Sequence, residues 1–170
     1  MFEEFLGIPA HPLLVHAAVV FVPLQVLAAI AYAAVPFTRR YVWWAALGLA
    51  VIAPICAWAA KLSGQAFRDR LIRHGAKDPK FLGDIDTHMS FGNMTAYFAT
   101  ALGVLLLILV LVLAKPPNGP AAIRASGGSA GGSAIVQLLA AVVVVVVAVI
   151  AGYYVFRTGD TGAHIVWSGQ

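Results

Sequence analysis

The stretch that decides the fold is Ile135–Phe156, which reads IVQLLAAVVVVVVAVIAGYYVF. It carries no charged side chain and contains six consecutive valines, Val142–Val147. In water, such a β-branched run could form a strand. In lipid every backbone N–H and C=O must be satisfied within the segment, so a spanning helix is the solution. At 1.5 Å per residue, about 20 apolar residues cross a hydrocarbon core of about 30 Å. Tyr153, Tyr154 and Arg157 mark its exit at the interface.

Working outward, three more stretches read the same way: Pro12–Val35, Tyr41–Leu62 and Met89–Ala114. Pro12 suits a first helical turn, where its missing N–H has no partner to lose. Tyr41, Trp43 and Trp44 form an aromatic belt at one interface; Trp58 and Lys61 supply a belt and a snorkelling cation at the other. Residues 116–134 form a Gly/Ser-rich flexible linker with no site chemistry. The 170 residues are 61% hydrophobic and 11% charged, which leaves no room for a separate soluble domain. The expected fold class is all-α: one polytopic membrane domain, a bundle of four transmembrane helices in the lipid bilayer. A short interfacial helix is expected in the second loop, capped by Ser63 and ended at Gly75, with Phe67 and Leu71 on one face.

The formal charge of +4 reflects membrane topology; no basic arm or basic-aromatic patch points to nucleic acid. The single cysteine, Cys56, excludes an internal disulfide and reads as a small packing residue. The first residues contain two glutamates and no basic residue, a poor signal-peptide start, so helix 1 is expected to be retained. Four crossings put both termini and the second loop on one side. A bare Lys/Arg count puts that side inside the cell. The charge contrast across helix 1, Glu3-Glu4 before and Arg39-Arg40 after, puts it outside, and outside is the expectation because the first helix often dominates.

All five histidines fall on that side: His11, His16, His74, His88 and His164. Imidazole is the common nitrogen ligand of haem iron, copper and zinc. Helices 1 and 3 run the same way, so His16 and His88 lie at similar depth and can face each other. His88 also heads a stripe of small residues, Gly92, Thr95 or Ala96, Ala99 and Gly103. Such a stripe admits a flat cofactor or the close approach of another helix. His11 reads as an interfacial cap, His74 as a solvated helix-end residue, and His11 and His164 as lesser candidates for metal. No acid lies within a span, which argues against an ion-coupled transporter. Cys-x-x-Cys-His is absent, which excludes covalent haem attachment, and no nucleophile–base pair, phosphate loop or dinucleotide fingerprint is present.

The opening Ile8-Pro9-Ala10-His11-Pro12-Leu13-Leu14-Val15-His16 resembles the start of a bacterial four-helix membrane family, domain-of-unknown-function family 2231. Asp86-Thr87-His88, followed by a small-residue helix, is similar to that family's third helix. The tail Thr161-Gly162-Ala163-His164-Ile165-Val166-Trp167-Ser168-Gly169 resembles its closing motif. Ala17-Ala18 stands where the family often has Phe-Pro, and Ser168 where it often has histidine, which weakens a ligand from the tail. The resemblance implies redox work in a bacterial cell membrane, b-type haem, and termini outside.

Together these readings lead to a haem b-binding electron-transfer protein, or a subunit of a redox complex. His16 and His88 would be its axial ligands, Gly92 would lie beneath the ring, and Arg70 or Arg73 would pair with a propionate. Two histidine ligands leave no open position, which points to an electron carrier rather than a stand-alone enzyme. Two alternatives stand beside it. One is a non-enzymatic accessory subunit of a respiratory or photosynthetic complex; the other is copper or zinc binding at the histidine cluster. Expected partners are a larger redox membrane complex or further copies of the chain.

Overall fold

The computed structural model of the protein describes residues 4–5, 8–113 and 134–167. Most of the expected linker and the last residues of the tail motif, Ser168 and Gly169, lie outside the described residues. A two-stranded ribbon opens the chain, with β1 (Glu4–Phe5) antiparallel to β2 (Ile8–Pro9). Helix α1 spans Ala10–Ala34, and a single 3-10 turn, Pro36–Thr38, leads into α2 at Arg39–Arg73. Helix α3 spans Pro79–Ile108 and ends in a π-helical turn, Leu109–Leu113; α4 spans Ala134–Trp167. All four helices are long and apolar enough to cross a membrane.

The helices stand at the corners of a square. Each packs on its two sequence neighbours, α4 closes back on α1, and α1 and α3 lie on the diagonal. The interior is built from small side chains. Ala29, Ala33, Ala46, Ala50, Ala148 and Ala151 are buried against Leu102, Leu106, Leu109 and Val144. Lipid tails are as apolar as leucine, so membrane helices associate through close backbone approach, which alanine and glycine allow. Large side chains such as Leu27, Ile55, Val149 and Phe156 point outward to the lipid.

The helices run well past the bilayer. The 35 residues of α2 give about 52 Å, some 20 Å more than a hydrocarbon core. The expected separate interfacial helix is therefore the last part of α2. Ser63 is no cap: it is fully buried inside the helix and donates to its own Ala60 carbonyl at 2.9 Å. The charged residues after Lys61 end the membrane-buried stretch without ending the helix, because Arg, Lys and Gln are good helix formers in water. Gly75 does end it. With φ of 97° it sits in the left-handed region, Gly75 N–H donates to Ile72 O and Ala76 N–H donates to Leu71 O. That pair of bonds is a Schellman close. Helix α3 begins at Pro79, ten residues before the expected span, with Asp78 capping Lys80 N–H at 3.0 Å.

Candidate functional site

The polar end of the bundle carries the histidines, and here all four helices converge. His11 lies in the first turn of α1. Its Nδ1 is 3.2 Å from the Ala60 carbonyl and 3.1 Å from Ser63 Oγ, both on α2. A carbonyl only accepts, and the Ser63 hydrogen is already given to that same carbonyl, so His11 Nδ1 carries the hydrogen. The lone pair is then on Nε2. Phe67, one turn further along α2, stacks on the His11 ring at 6.0 Å between centroids.

His88 on α3 is held in the same manner by α4. Its Nδ1 is 3.2 Å from Thr161 Oγ1, and Thr161 gives its own hydrogen to the Arg157 carbonyl at 2.8 Å. The Thr161 oxygen therefore accepts, and His88 is also the Nδ1–H tautomer. The backbone of Thr158 offers the same ring a further acceptor. The His11 and His88 rings meet edge to face, with centroids 6.4 Å apart and planes at 76°.

Each ring rests on a glycine. A Cβ on Gly64 would lie 3.0 Å from His11 Cε1, and one on Gly162 would lie 3.0 Å from His88 Cε1. A methyl at either position would press on the ring and make the imidazole give by a few tenths of an ångström. Above the pair, Arg68 of α2 forms a forked salt bridge to Asp86 of α3, at 2.7 and 3.2 Å. It is exposed, so its role is to join α2 to α3 rather than to add much stability.

The structure thus pairs His88 with His11 rather than with His16. His16 is exposed on the outer face of α1, and its Nδ1 bonds the Pro12 carbonyl of its own helix. His74 is the exposed C-cap of α2, and His164 lies near Asp160 on exposed α4, at 3.7 Å. Arg73 is exposed in the last turn of α2 and Arg70 is half-buried one turn before it.

The small-residue stripe of α3 is filled by neighbouring helices. Thr95 Oγ1 is 2.9 Å from Thr158 Oγ1, and a Cβ on Gly92 would meet Thr158 Cγ2 at 3.8 Å. The Ala99 carbonyl accepts from Gln25 Nε2 at 3.1 Å. Gly103 faces the Ala50 carbonyl, which Pro54 leaves without its helical donor, so close that any Cβ would collide with it. The stripe therefore serves helix packing.

The family model described as a predicted membrane protein (DUF2231) matches residues 7–170. The chain belongs to this family. Neither a curated protein nor a solved structure matches it. In this DUF2231 chain, sequence reasoning singles out His88 and gives His11 a lesser place. It misses Ser63, Gly64, Thr161 and Gly162 as histidine supports. The available signal is the hydroxyl-glycine pair, Ser63-Gly64 and Thr161-Gly162, at the same end of two parallel helices.

Proposed function

We propose that this membrane protein is an electron carrier, or the electron-transfer subunit of a larger redox complex, that holds b-type haem between His11 and His88. One observation carries the reading: two imidazoles from parallel helices, each tied through Nδ1–H and each with its lone pair on Nε2, 6.4 Å apart between centroids. Nδ1 bonded to a carbonyl or hydroxyl is the usual support of an imidazole that ligates through Nε2. A metal bound at about 2 Å by each ring can bridge such a separation. Two neutral imidazoles, His11 and His88, would hold haem iron, and haem, if bound, would supply one-electron redox chemistry.

The chain's own residues define the setting. Ala60, Ser63 and Thr161 fix the rings, Phe67 shields His11 from water, and Arg70 and Arg73 bring positive charge to the same end for the propionates. The proposal includes a bacterial cell membrane with both termini outside, on the charge contrast across α1. A second reading, a bare copper or zinc ion, is favoured by the tight seats at Gly64 and Gly162, which leave the rings already close.

The absorption spectrum of detergent-purified protein, oxidised and reduced, tests the first reading, with metal analysis beside it. A low-spin haem spectrum lost in His11→Ala and in His88→Ala, and kept in His16→Ala and His74→Ala, is expected. Stoichiometric copper or zinc without haem selects the second reading. Protein that binds neither overturns both.

A further inference from the structure

The two histidine seats share a carbonyl, a hydroxyl and a glycine in the same order along the helix, and differ in that Thr161 also bonds the Arg157 carbonyl and Phe67 stacks on His11 alone. On α2 the seat is the Ala60 carbonyl, the Ser63 hydroxyl and Gly64; on α4 it is the Thr158 backbone, the Thr161 hydroxyl and Gly162. In both, the hydroxyl stands three residues after the carbonyl: Ser63 donates to Ala60 O at 2.9 Å, and Thr161, whose shorter bond is to Arg157 O at 2.8 Å, lies 3.2 Å from Thr158 O. In both, the glycine follows the hydroxyl and faces Cε1 of the ring. The distances from a Cβ placed on each glycine agree to within a tenth of an ångström: 3.0, 3.4 and 3.7 Å to Cε1, Nδ1 and Nε2 of His11 for Gly64, and 3.0, 3.3 and 3.8 Å to the same atoms of His88 for Gly162.

The likeness extends along the helices. His11 and His88 are 77 residues apart. Beyond the first turns, shifting α1 by that amount carries its buried positions Ala18, Val22, Gln25, Ala29, Tyr32 and Ala33 onto Thr95, Ala99, Leu102, Leu106, Leu109 and Val110. Every one of these is buried. Ser63 and Thr161 are 98 residues apart. That shift carries buried Ala46, Ala50 and Ala53 of α2 onto Val144, Ala148 and Ala151 of α4, all buried, and Ala57 onto half-buried Val155. The two shifts differ because the α3–α4 connection is longer than the α1–α2 turn. Each shift is fixed by the histidine seat alone.

We infer that the protein is a tandem of two equivalent helical hairpins, α1–α2 and α3–α4, about a pseudo-two-fold axis along the bundle. Ser63-Gly64 and Thr161-Gly162 are then matched clamps that present His11 and His88 as equivalent ligands to one transition-metal centre on that axis. The ligand part rests on the proposed function; the tandem and the clamps do not. Ser63 and Thr161 are positioning residues, since they act through the imidazoles. Gly64 and Gly162 let the rings sit this close to the helices, since a Cβ at either would stand only 3.0 Å from Cε1. The match explains why an α4 threonine and an α2 serine, in otherwise different sequences, both precede a glycine at this depth. It also makes a first-copy residue such as Ser63 replaceable by the second copy's residue type.

Nitrogen NMR of the full chain, labelled at histidine and free of metal, reads the clamps directly. His11 and His88 are expected as the Nδ1–H tautomer with hydrogen-bonded shifts. Ser63→Ala should move the His11 resonances alone, Thr161→Val the His88 resonances alone, and the exchanged residues Ser63→Thr and Thr161→Ser should restore both. With haem or copper then added, Ser63→Ala and Thr161→Val should each weaken binding by a similar factor, roughly 10- to 100-fold. An Nε2–H tautomer at either histidine overturns the clamps, as does a Thr161→Val protein whose His88 resonances do not move. Loss of binding on one side only overturns the equivalence. Wild-type protein with the expected tautomers that takes up neither haem nor copper would sink the proposed function and leave the clamps standing.

Discussion

Two glycines, one in the bundle interior and one on its surface, behave oppositely, and the contrast shows what holds the helices together. Gly103 lets the Ala50 carbonyl, freed by Pro54, come against the α3 backbone, with Gln25 Nε2 beside it. Gly103→Ala places a methyl in that contact and should destabilise the protein by roughly 1–3 kcal/mol, the usual cost of overpacking. Gly159 lies on α4 with no heavy atom of a neighbouring element within 4 Å of where a Cβ would stand. Gly159→Ala should be neutral or stabilise by up to about 1 kcal/mol through helix propensity. Unfolding in detergent micelles by titration with a denaturing detergent measures both; equal effects would refute the close approach at Gly103. Gln25 adds a second case. It is fully buried, donates to Ala99 O, and its Oε1 has no partner among the described residues. An unpaired buried acceptor costs about 1–3 kcal/mol, so Gln25→Met, which keeps the volume, should cost little or stabilise in the same assay. The small-residue stripe is legible in the sequence, but its occupant is not. Only the fold shows that Thr158, Gln25 and Ala50 fill it.

At the scale of the element, α2 departs furthest from its sequence pattern. The spans are legible because twenty apolar residues have few alternatives in lipid. The helix ends are not, because charge marks where the bilayer stops and says little about where the helix stops. Gly75 marks the true end, and its φ of 97° sets a test. Gly75→Ala should destabilise the end of α2 by roughly 1–3 kcal/mol, the cost of the left-handed region for a side chain, and Gly75→Asn by less. Faster hydrogen exchange over the last turns of α2 in the alanine protein would check it. The same continuous helix carries Arg70 and Arg73 beyond Ser63, toward the histidine end. If the centre is haem, replacing both with Gln removes positive charge that favours the reduced state. The midpoint potential should fall, by on the order of tens of millivolts for charges near the ring. A redox titration with haem fully retained decides it; an unchanged midpoint would leave these arginines only an anchoring role.

For the whole molecule, the square of antiparallel helices fixes sidedness once one loop is placed. The α1–α2 turn at Pro36–Thr38 and the α2–α3 connection around Lys77 sit at opposite ends of α2, about 52 Å of helix apart. Both histidine seats lie at the Lys77 end, because His11 packs on Ala60 and Ser63 and His88 is ten residues into α3. The sidedness of the histidine pair is therefore the sidedness of Lys77. Glu3-Glu4 before α1 and Arg39-Arg40 after it argue that the Lys77 end faces outward, since basic residues stay on the cytoplasmic side of the first span. With Cys56 replaced by alanine, single cysteines at Phe37 and at Lys77 can be tested with a maleimide that does not cross membranes. In intact cells Lys77→Cys should react and Phe37→Cys should not; permeabilised cells should label both. The reverse pattern would turn the bundle over and put the histidine pair on the cytoplasmic side. Labelling of both positions from one side would break the four-crossing fold itself, because no arrangement of a single spanning α2 can present its two ends to the same water.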